Sequence, residues 1–341
     1  MDEETGHIVR GAVIGGGAFG TALACVLSSK GALVKVWVRS ESQKVLVETT
    51  RENANYLPGF RLPDRVHFTN DIHECVRDVD IVILAIPTQY LRAFLVRNRS
   101  TLPVGVPIVA CAKGVELETL QFPFDILMDE LPGKYSKYLA VLSGPSFAKE
   151  VISKQPTSVT VSSNNQETAA LTQVLVSSKE YNFRVYTSDD IIGCEVAGAV
   201  KNVLAIAAGA AGGLGFGNNT RAMLVCRGLA ELSRLATKLG STGKCLSGLA
   251  GVGDLMLTCS SEMSRNYSVG RRLAQGESLQ QITASTQSVA EGIATSQALH
   301  ALALHHHVEM PICNEVYQVL YQHKTVTQAL IDLTMRPLTS E

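Results

Sequence analysis

What this chain of 341 residues lacks first is spare charge. Charged residues make up 18% of it, and 30 Lys and Arg against 31 Asp and Glu leave a formal net charge of −1. Such a balance excludes recruitment of nucleic acid or an anionic membrane surface by bulk charge. An anionic ligand must therefore be caught by a local site. The chain also lacks any C-x-x-C pair. Its eight cysteines (Cys25, Cys75, Cys111, Cys194, Cys226, Cys245, Cys259 and Cys313) stand singly, mostly in apolar surroundings. That excludes a disulfide framework and a zinc site of the usual spacing, and fits reduced thiols inside a cell. The start, Met1-Asp2-Glu3-Glu4-Thr5, has no apolar segment of a secretory signal, and Thr339-Ser340-Glu341 is no Ser-Lys-Leu type address. Neither internal repeats nor low-complexity tracts occur. The expected compartment is the cytosol, with no membrane and no nucleic acid as partner.

What is present is a large apolar fraction, 46%, enough to bury a sizeable core, in a length that suits two ordinary domains. Residues 8–14 read as a buried strand that ends at Gly15-Gly16-Gly17-Ala18-Phe19-Gly20. Apolar residues at helical spacing follow from Thr21 to Ser29, and Leu33 to Val38 reads as a second strand. Strand, G-x-G-x-x-G, helix, strand is the setting in which the glycines bind a dinucleotide. Gly15 permits the tight turn, Gly17 lets a pyrophosphate approach the backbone, and Gly20 lets helix and strand pack closely. The anion would sit at the helix N-terminus, where free N–H groups and the dipole favour it. After the second strand stand Arg39 and Ser40, where an NAD site usually has an acidic residue. Arg39 suits a 2′-phosphate or an adenine face, and Glu41 is a displaced candidate for the ribose, so NAD and NADP both remain open.

Further strands are expected at Val66–Thr69, Asp80–Ile86, Pro107–Ala112, Tyr138–Leu142 and Thr157–Ser162. Helices fit near Tyr90–Arg97, Phe124–Leu131 and Glu167–Val176. This alternation predicts a doubly wound, mainly parallel α/β sheet with helices on both faces. Ligands in such folds gather at the carboxyl ends of strands. Those ends carry Pro87-Thr88, Lys113-Gly114 and Ser143-Gly144-Pro145-Ser146. Near Thr187-Ser188-Asp189-Asp190 the strands stop and helical patterns take over, which sets expected domains at 1–188 and 189–341. The second half opens on an apolar helix running from Gly193 to Ala208. Lys201 is its only charge between Glu195 and Arg221, with Ala197 and Gly198 on its own face. A lysine there either snorkels to the surface or loses its proton, pairs, or meets a substrate in a cavity. Gly212-Gly213 and Gly215 are expected to end this helix well short of a membrane span. Two more stretches look chemical: Leu246–Cys259, in which Asp254 is the single charge, and Ser264-Arg265-Asn266, whose guanidinium fork suits phosphate. His305-His306-His307 reads as an exposed helix end, with no metal site expected.

The chain closely resembles the NAD-dependent glycerol-3-phosphate dehydrogenases. The motifs that carry the likeness are Gly15 to Gly20, Asn55-Tyr56-Leu57-Pro58-Gly59, Lys113-Gly114, Ser143-Gly144-Pro145-Ser146-Phe147-Ala148 and Glu195 to Asn202. Further on they are Asn219-Thr220-Arg221-Ala222, Arg227-Gly228-Leu229, Leu249 to Leu255, Thr258-Cys259, Ser264-Arg265-Asn266 and Val289-Ala290-Glu291-Gly292. Asn218-Asn219 and Arg221 depart from the common pattern. The resemblance implies a Rossmann-type domain, a C-terminal all-helical substrate domain, usually a homodimer, and reversible hydride transfer between NADH and dihydroxyacetone phosphate to give sn-glycerol 3-phosphate. It implies Lys201 as general acid/base, with Lys113 and Asn202 orienting substrate oxygens. Asp254 would align Lys201 or the substrate hydroxyl, Thr258 would contact lysine or substrate, and Arg265 and Asn266 would hold the phosphate. The implied cofactor set is Gly15, Gly16, Gly17, Ala18, Phe19, Gly20, Arg39, Pro87, Lys113, Ser143, Ala148, Arg265 and Glu291. A related dehydrogenase of another small phosphorylated or 3-hydroxy acid, and an NAD(H)-sensing module without turnover, are the alternatives.

Overall fold

The computed structural model describes residues 8–285 and 289–337. The acidic start and the Thr339-Ser340-Glu341 end fall outside the described residues. Two compact units are present. The first comprises the chain up to Ala112 together with Pro123–Ile191; the second comprises Lys113–Phe122 and the chain from Ile192 on. Lys113–Phe122 thus belongs with the helical unit, although its place in the chain assigns it to the first domain. Val115 and Phe122 explain this, since both bury their side chains in the helical unit's apolar cluster.

The first unit is one eight-stranded sheet. Its strands are β1 (Arg10–Ile14), β2 (Leu33–Trp37), β3 (Val66–Thr69), β4 (Ile81–Leu84), β5 (Ile108–Ala110), β6 (Leu139–Ser143), β7 (Thr157–Ser162) and β8 (Phe183–Ser188). They lie in the order β3-β2-β1-β4-β5-β6-β7-β8. Every pairing is parallel except β6 with β7. The order reverses between β1 and β4, the switch point at which such folds bind ligands. β4 is buried along its whole length, as its unbroken Ile-Val-Ile-Leu run requires of a strand covered on both faces. Pro107 stands just outside β5, where its carbonyl accepts from the Val82 N–H at 2.9 Å and its missing donor costs nothing. β8 was not expected from the sequence. At the sheet edge it buries only Phe183 and Val185 and exposes Arg184 and Tyr186, so it shows no apolar run. The Glu41–Thr50 helix was also missed, because Val47 is its one buried residue.

The helical unit is built on the Ile191–Gly213 helix. Its 23 residues are long and apolar enough to cross a membrane, but 83% of the most apolar window is buried. Gly212 and Gly213 end it as the sequence predicts, but only after a membrane-spanning length, contrary to the expectation. They are contact points for the Arg265–Ala274 helix. A Cβ on Gly209 would lie 1.9 Å from the Tyr267 carbonyl oxygen, one on Gly213 2.7 Å from that of Arg271, and one on Gly270 1.9 Å from that of Ile206. Each helical glycine costs about 1 kcal/mol against alanine. Close contact of the two backbones offsets that cost here, and this crossing brings Asn266 beside Asn202.

Candidate active site

The acid/base candidates meet inside the helical unit. Lys201 projects from the Ile191–Gly213 helix with its side chain 8% exposed. Its Nζ donates to Asp254 Oδ1 at 2.8 Å and to Thr258 Oγ1 at 2.9 Å. Lys113 Nζ donates to the other oxygen of the same carboxylate, Oδ2, at 2.7 Å. Asp254 is therefore a buried bridge, 2% exposed, between two ammonium groups. The Thr258 hydroxyl donates to the Asp254 backbone carbonyl at 2.6 Å, which leaves its lone pairs toward Lys201. Of the two readings open for Lys201 from sequence, the snorkelling one is excluded by this burial and these partners.

Local sequence explains how Asp254 comes to face Lys201. Leu249–Gly253 forms a wide helical turn in which Gly251 has non-helical torsions, and the Asp254–Ser260 helix starts directly after it. A Cβ on Gly251 would lie 2.0 Å from the Leu246 carbonyl oxygen, so only glycine lets the chain double back at that point. The glycine-rich run around a lone acid thus has a steric cause.

Electrostatics sets the protonation states. Burial pushes Lys201 down to about 8; the Asp254 carboxylate opposes that fall and the Lys113 ammonium deepens it. Burial also works against ionising Asp254, but Lys113 and Lys201 outweigh it and hold its carboxyl below the ordinary range. The neighbouring Cys259 thiol is pushed up to about 12 by burial and stays neutral. An amine poised near 8 can give or take a proton at neutral pH.

Arg265 and Asn266 open a helix of ten residues whose N-cap, Ser264, accepts from the Tyr267 N–H at 3.2 Å. Arg265 is exposed and makes no hydrogen bond or ion pair among the described residues. A free guanidinium beside first-turn N–H groups is a ready anion site. Asn266 differs from it: its side chain is buried and turned inward, to Asn202 and the Gly292 N–H. Glu291 begins the Glu291–His306 helix in the same unit. His305 and His306 end that helix, with His307 as its left-handed cap.

The remaining cofactor candidates lie in the sheet unit. Gly15 has φ +114°, and a Cβ there would meet the Ala85 carbonyl oxygen at 2.5 Å. A Cβ on Gly20 would lie 2.0 Å from Gly15 O, whereas nothing lies within 4 Å of one on Gly17. Each glycine therefore has the steric setting its spacing predicts: a tight turn at Gly15, open space at Gly17, close packing at Gly20. Gly16 is wedged against Val38 and Phe68, and Gly17 caps the Ala18–Ser28 helix with no side chain over its N–H groups. The helix starts at Ala18, earlier than the apolar spacing indicates, and Phe19 packs half-buried on the core. Arg39 follows β2, exposed and unpaired among the described residues. Glu41, considered above for the ribose, instead takes Lys44 at 3.2 Å and the Asn70 amide. Pro87 caps the Thr88–Asn98 helix after β4, and Ala148 opens the Ala148–Ile152 helix. Ser143, at the carboxyl end of β6, buries a hydroxyl that has no partner among the described residues. One contributor escaped the sequence reading. Asn53, 1% exposed, donates to Gly16 O at 3.0 Å and to Thr21 Oγ1 at 2.8 Å and so fixes the glycine loop. Its signal was the adjacent Asn55–Gly59 motif.

A Rossmann-type sheet with an open glycine loop, and a helical unit with a poised lysine and a free arginine, define a nicotinamide-dependent oxidoreductase. Comparison with known proteins narrows this. Residues 11–169 match the model of the NAD-dependent glycerol-3-phosphate dehydrogenase N-terminus and residues 190–331 that of its C-terminus. The chain is 44% identical over 340 residues to the glycosomal glycerol-3-phosphate dehydrogenase [NAD(+)] of Trypanosoma brucei brucei, covering 98% of this chain and 95% of that one. It is also 44% identical over 333 residues to the glycerol-3-phosphate dehydrogenase [NAD(P)+] of Myxococcus xanthus, covering 98% and 99%. A crystal structure of glycerol-3-phosphate dehydrogenase from Coxiella burnetii superposes with a TM-score of 0.90 at 32% identity, covering 96% and 99%. The chain belongs to the NAD-dependent glycerol-3-phosphate dehydrogenase family, oxidoreductases that use NAD or NADP on small-molecule substrates.

Proposed function

We propose that the chain interconverts dihydroxyacetone phosphate and sn-glycerol 3-phosphate, with Lys201 as the proton donor in reduction and, once neutral, the acceptor in oxidation. The observation that supports this most is the Lys201–Asp254–Thr258 cluster, in which a buried amine is brought near 8 and oriented by a carboxylate and a hydroxyl. The cofactor fits the residues present. Gly17 leaves open space before a bare helix N-terminus, and the orphaned Ser143 hydroxyl stands at a strand end where a polar ligand group can satisfy it. Gly15 to Gly20 would hold the pyrophosphate, Phe19, Pro87, Ser143 and Ala148 would border the nicotinamide, and Arg39 would meet the adenosine end. Lys113, Arg265 and Glu291 are the other proposed cofactor contacts. When bound, the cofactor supplies or accepts the hydride at the carbonyl carbon. Lys201 gives its proton to the carbonyl oxygen, leaving a neutral amine that Asp254 and Thr258 keep oriented. Lys113 and Asn202 orient the substrate oxygens, and Arg265 with the Asn266 N–H takes the phosphate.

Eight free thiols, seven of them buried, support a reducing compartment, and we place the protein in the cytosol as a homodimer. Light scattering should then give about twice 36.5 kDa. The function is tested by steady-state assays with NADH and NADPH against dihydroxyacetone phosphate, and in reverse with sn-glycerol 3-phosphate. Turnover with either cofactor is expected; faster turnover of a 3-hydroxy acid than of sn-glycerol 3-phosphate would overturn the substrate assignment.

A further inference from the structure

Four groups of the helical unit form one line of hydrogen bonds. The Gly292 N–H donates to Asn266 Oδ1 at 3.0 Å, Asn266 Nδ2 donates to Asn202 Oδ1 at 2.9 Å, and Asn202 Nδ2 donates to the Lys113 backbone carbonyl at 2.9 Å. A backbone donor closes one end and a backbone acceptor the other. The polarity of both carboxamides is therefore fixed, since flipping either would set two donors or two acceptors face to face. Both are buried, Asn202 6% and Asn266 7% exposed, so a broken bond is not replaced by water at no cost. Gly292 is held to this line by space: a Cβ there would lie 2.7 Å from both Asn202 O and Asn266 Oδ1. Lys113 is thus pinned twice, at its carbonyl by Asn202 and at its ammonium by Asp254.

We infer that Asn266 is a positioning residue for Lys113, acting through Asn202, and that the line from Gly292 to Lys113 sets where the second ammonium stands against Asp254. This rests on the roles proposed above for Lys113 and Lys201. It differs from a role confined to the phosphate, because losing Asn266 then disturbs the chemical step at the far end of the line. Asn202 sits next to Lys201 on the same helix, so one element carries both the acid and the clamp on its neighbour.

The test uses Asn266→Ala, Asn202→Ala and the double variant in the full chain, with kcat, KM and the pH profile for dihydroxyacetone phosphate reduction. Asp254, Lys113 and the neutral Cys259 thiol are the titratable groups that act on Lys201. Lys113 pushes the Lys201 proton off, so a Lys113 that drifts away lets the alkaline limb move up from about 8. The expected result is a fall in kcat of ten- to a hundredfold at saturating substrate, the range for a misplaced group. An upward shift of the limb and a double variant little worse than either single one are expected with it. A rise in KM with kcat and limb unchanged would overturn the inference and leave Asn266 as a phosphate contact only. A lower melting temperature with an unmoved limb would overturn it too, as would additive effects. Should Asn266→Ala not fold, Asn266→Ser keeps a polar group too short to reach both neighbours and is read in the same way. A wild-type chain without turnover on dihydroxyacetone phosphate would instead defeat the functional assignment, so the two failures are separable.

Discussion

Asp254→Asn is the substitution whose outcome follows most directly from the geometry. It keeps the shape of the side chain but removes the negative charge that faces Lys201 Nζ at 2.8 Å and Lys113 Nζ at 2.7 Å. The buried Lys201 and the half-buried Lys113 then lose the carboxylate they share. Unpairing a buried ion costs about 3–5 kcal/mol. At about 1.4 kcal/mol for each pKa unit, that is enough to move Lys201 down by two units or more. Burial already brings Lys201 to about 8, and Asp254 is the principal influence holding it up. The variant's Lys201 should therefore titrate at roughly pH 5–6. Reduction needs the protonated amine, so its rate falls as pH rises through this value. Wild-type reduction should decline above about pH 8, and the variant should decline above roughly pH 6. At neutral pH that alone predicts a loss of between about ten- and a hundredfold, partly recovered on acidification. The assay is NADH consumption with saturating dihydroxyacetone phosphate across the pH range, with folding checked by circular dichroism. A variant whose limb stays near the wild-type position would refute the claim that Asp254 sets the Lys201 proton.

Two further outcomes are expected. Arg265→Ala should raise the KM for dihydroxyacetone phosphate by a hundredfold or so, a few kcal/mol for a charge-assisted contact, with less effect on the KM for NADH; equal effects on both would remove Arg265 from an exclusive place at the phosphate. Gly20→Ala puts a Cβ 2.0 Å from Gly15 O, a backbone atom that cannot swing aside. The turn must open, so NADH binding measured by fluorescence should weaken at least tenfold, and unchanged affinity would contradict the close-packing role.

Much of the sheet unit could be read from the sequence because its strands are continuous apolar runs. β4 shows this most clearly, and Gly15, Gly17 and Gly20 each occupy a position that only glycine tolerates or that a ligand needs open. The edge strand β8 and the Glu41–Thr50 helix were not legible, since each buries too few residues to leave a pattern. Gly212 and Gly213 were legible as the helix end but not as contact points. Glycine reads locally as a helix stop, and only the partner helix with Tyr267 and Gly270 turns it into a packing site. The same limit applies to Lys113. Its place after β5 suggests a strand-end lysine, while its bond to a carboxylate 141 residues further on is a tertiary fact. Lys201, Asp254, Thr258, Asn202 and Asn266 were all legible as candidates. Their division into acid, counter-charge and hydrogen-bonded line was not, because that depends on which oxygen faces which nitrogen.

Turnover by Lys201→Met tests most directly whether Lys201 moves the substrate proton. Methionine fills the buried volume and has no proton to give. The variant should bind NADH as the wild type does and lose turnover of dihydroxyacetone phosphate by about a thousandfold or more. Activity within about tenfold of wild type would contradict the account.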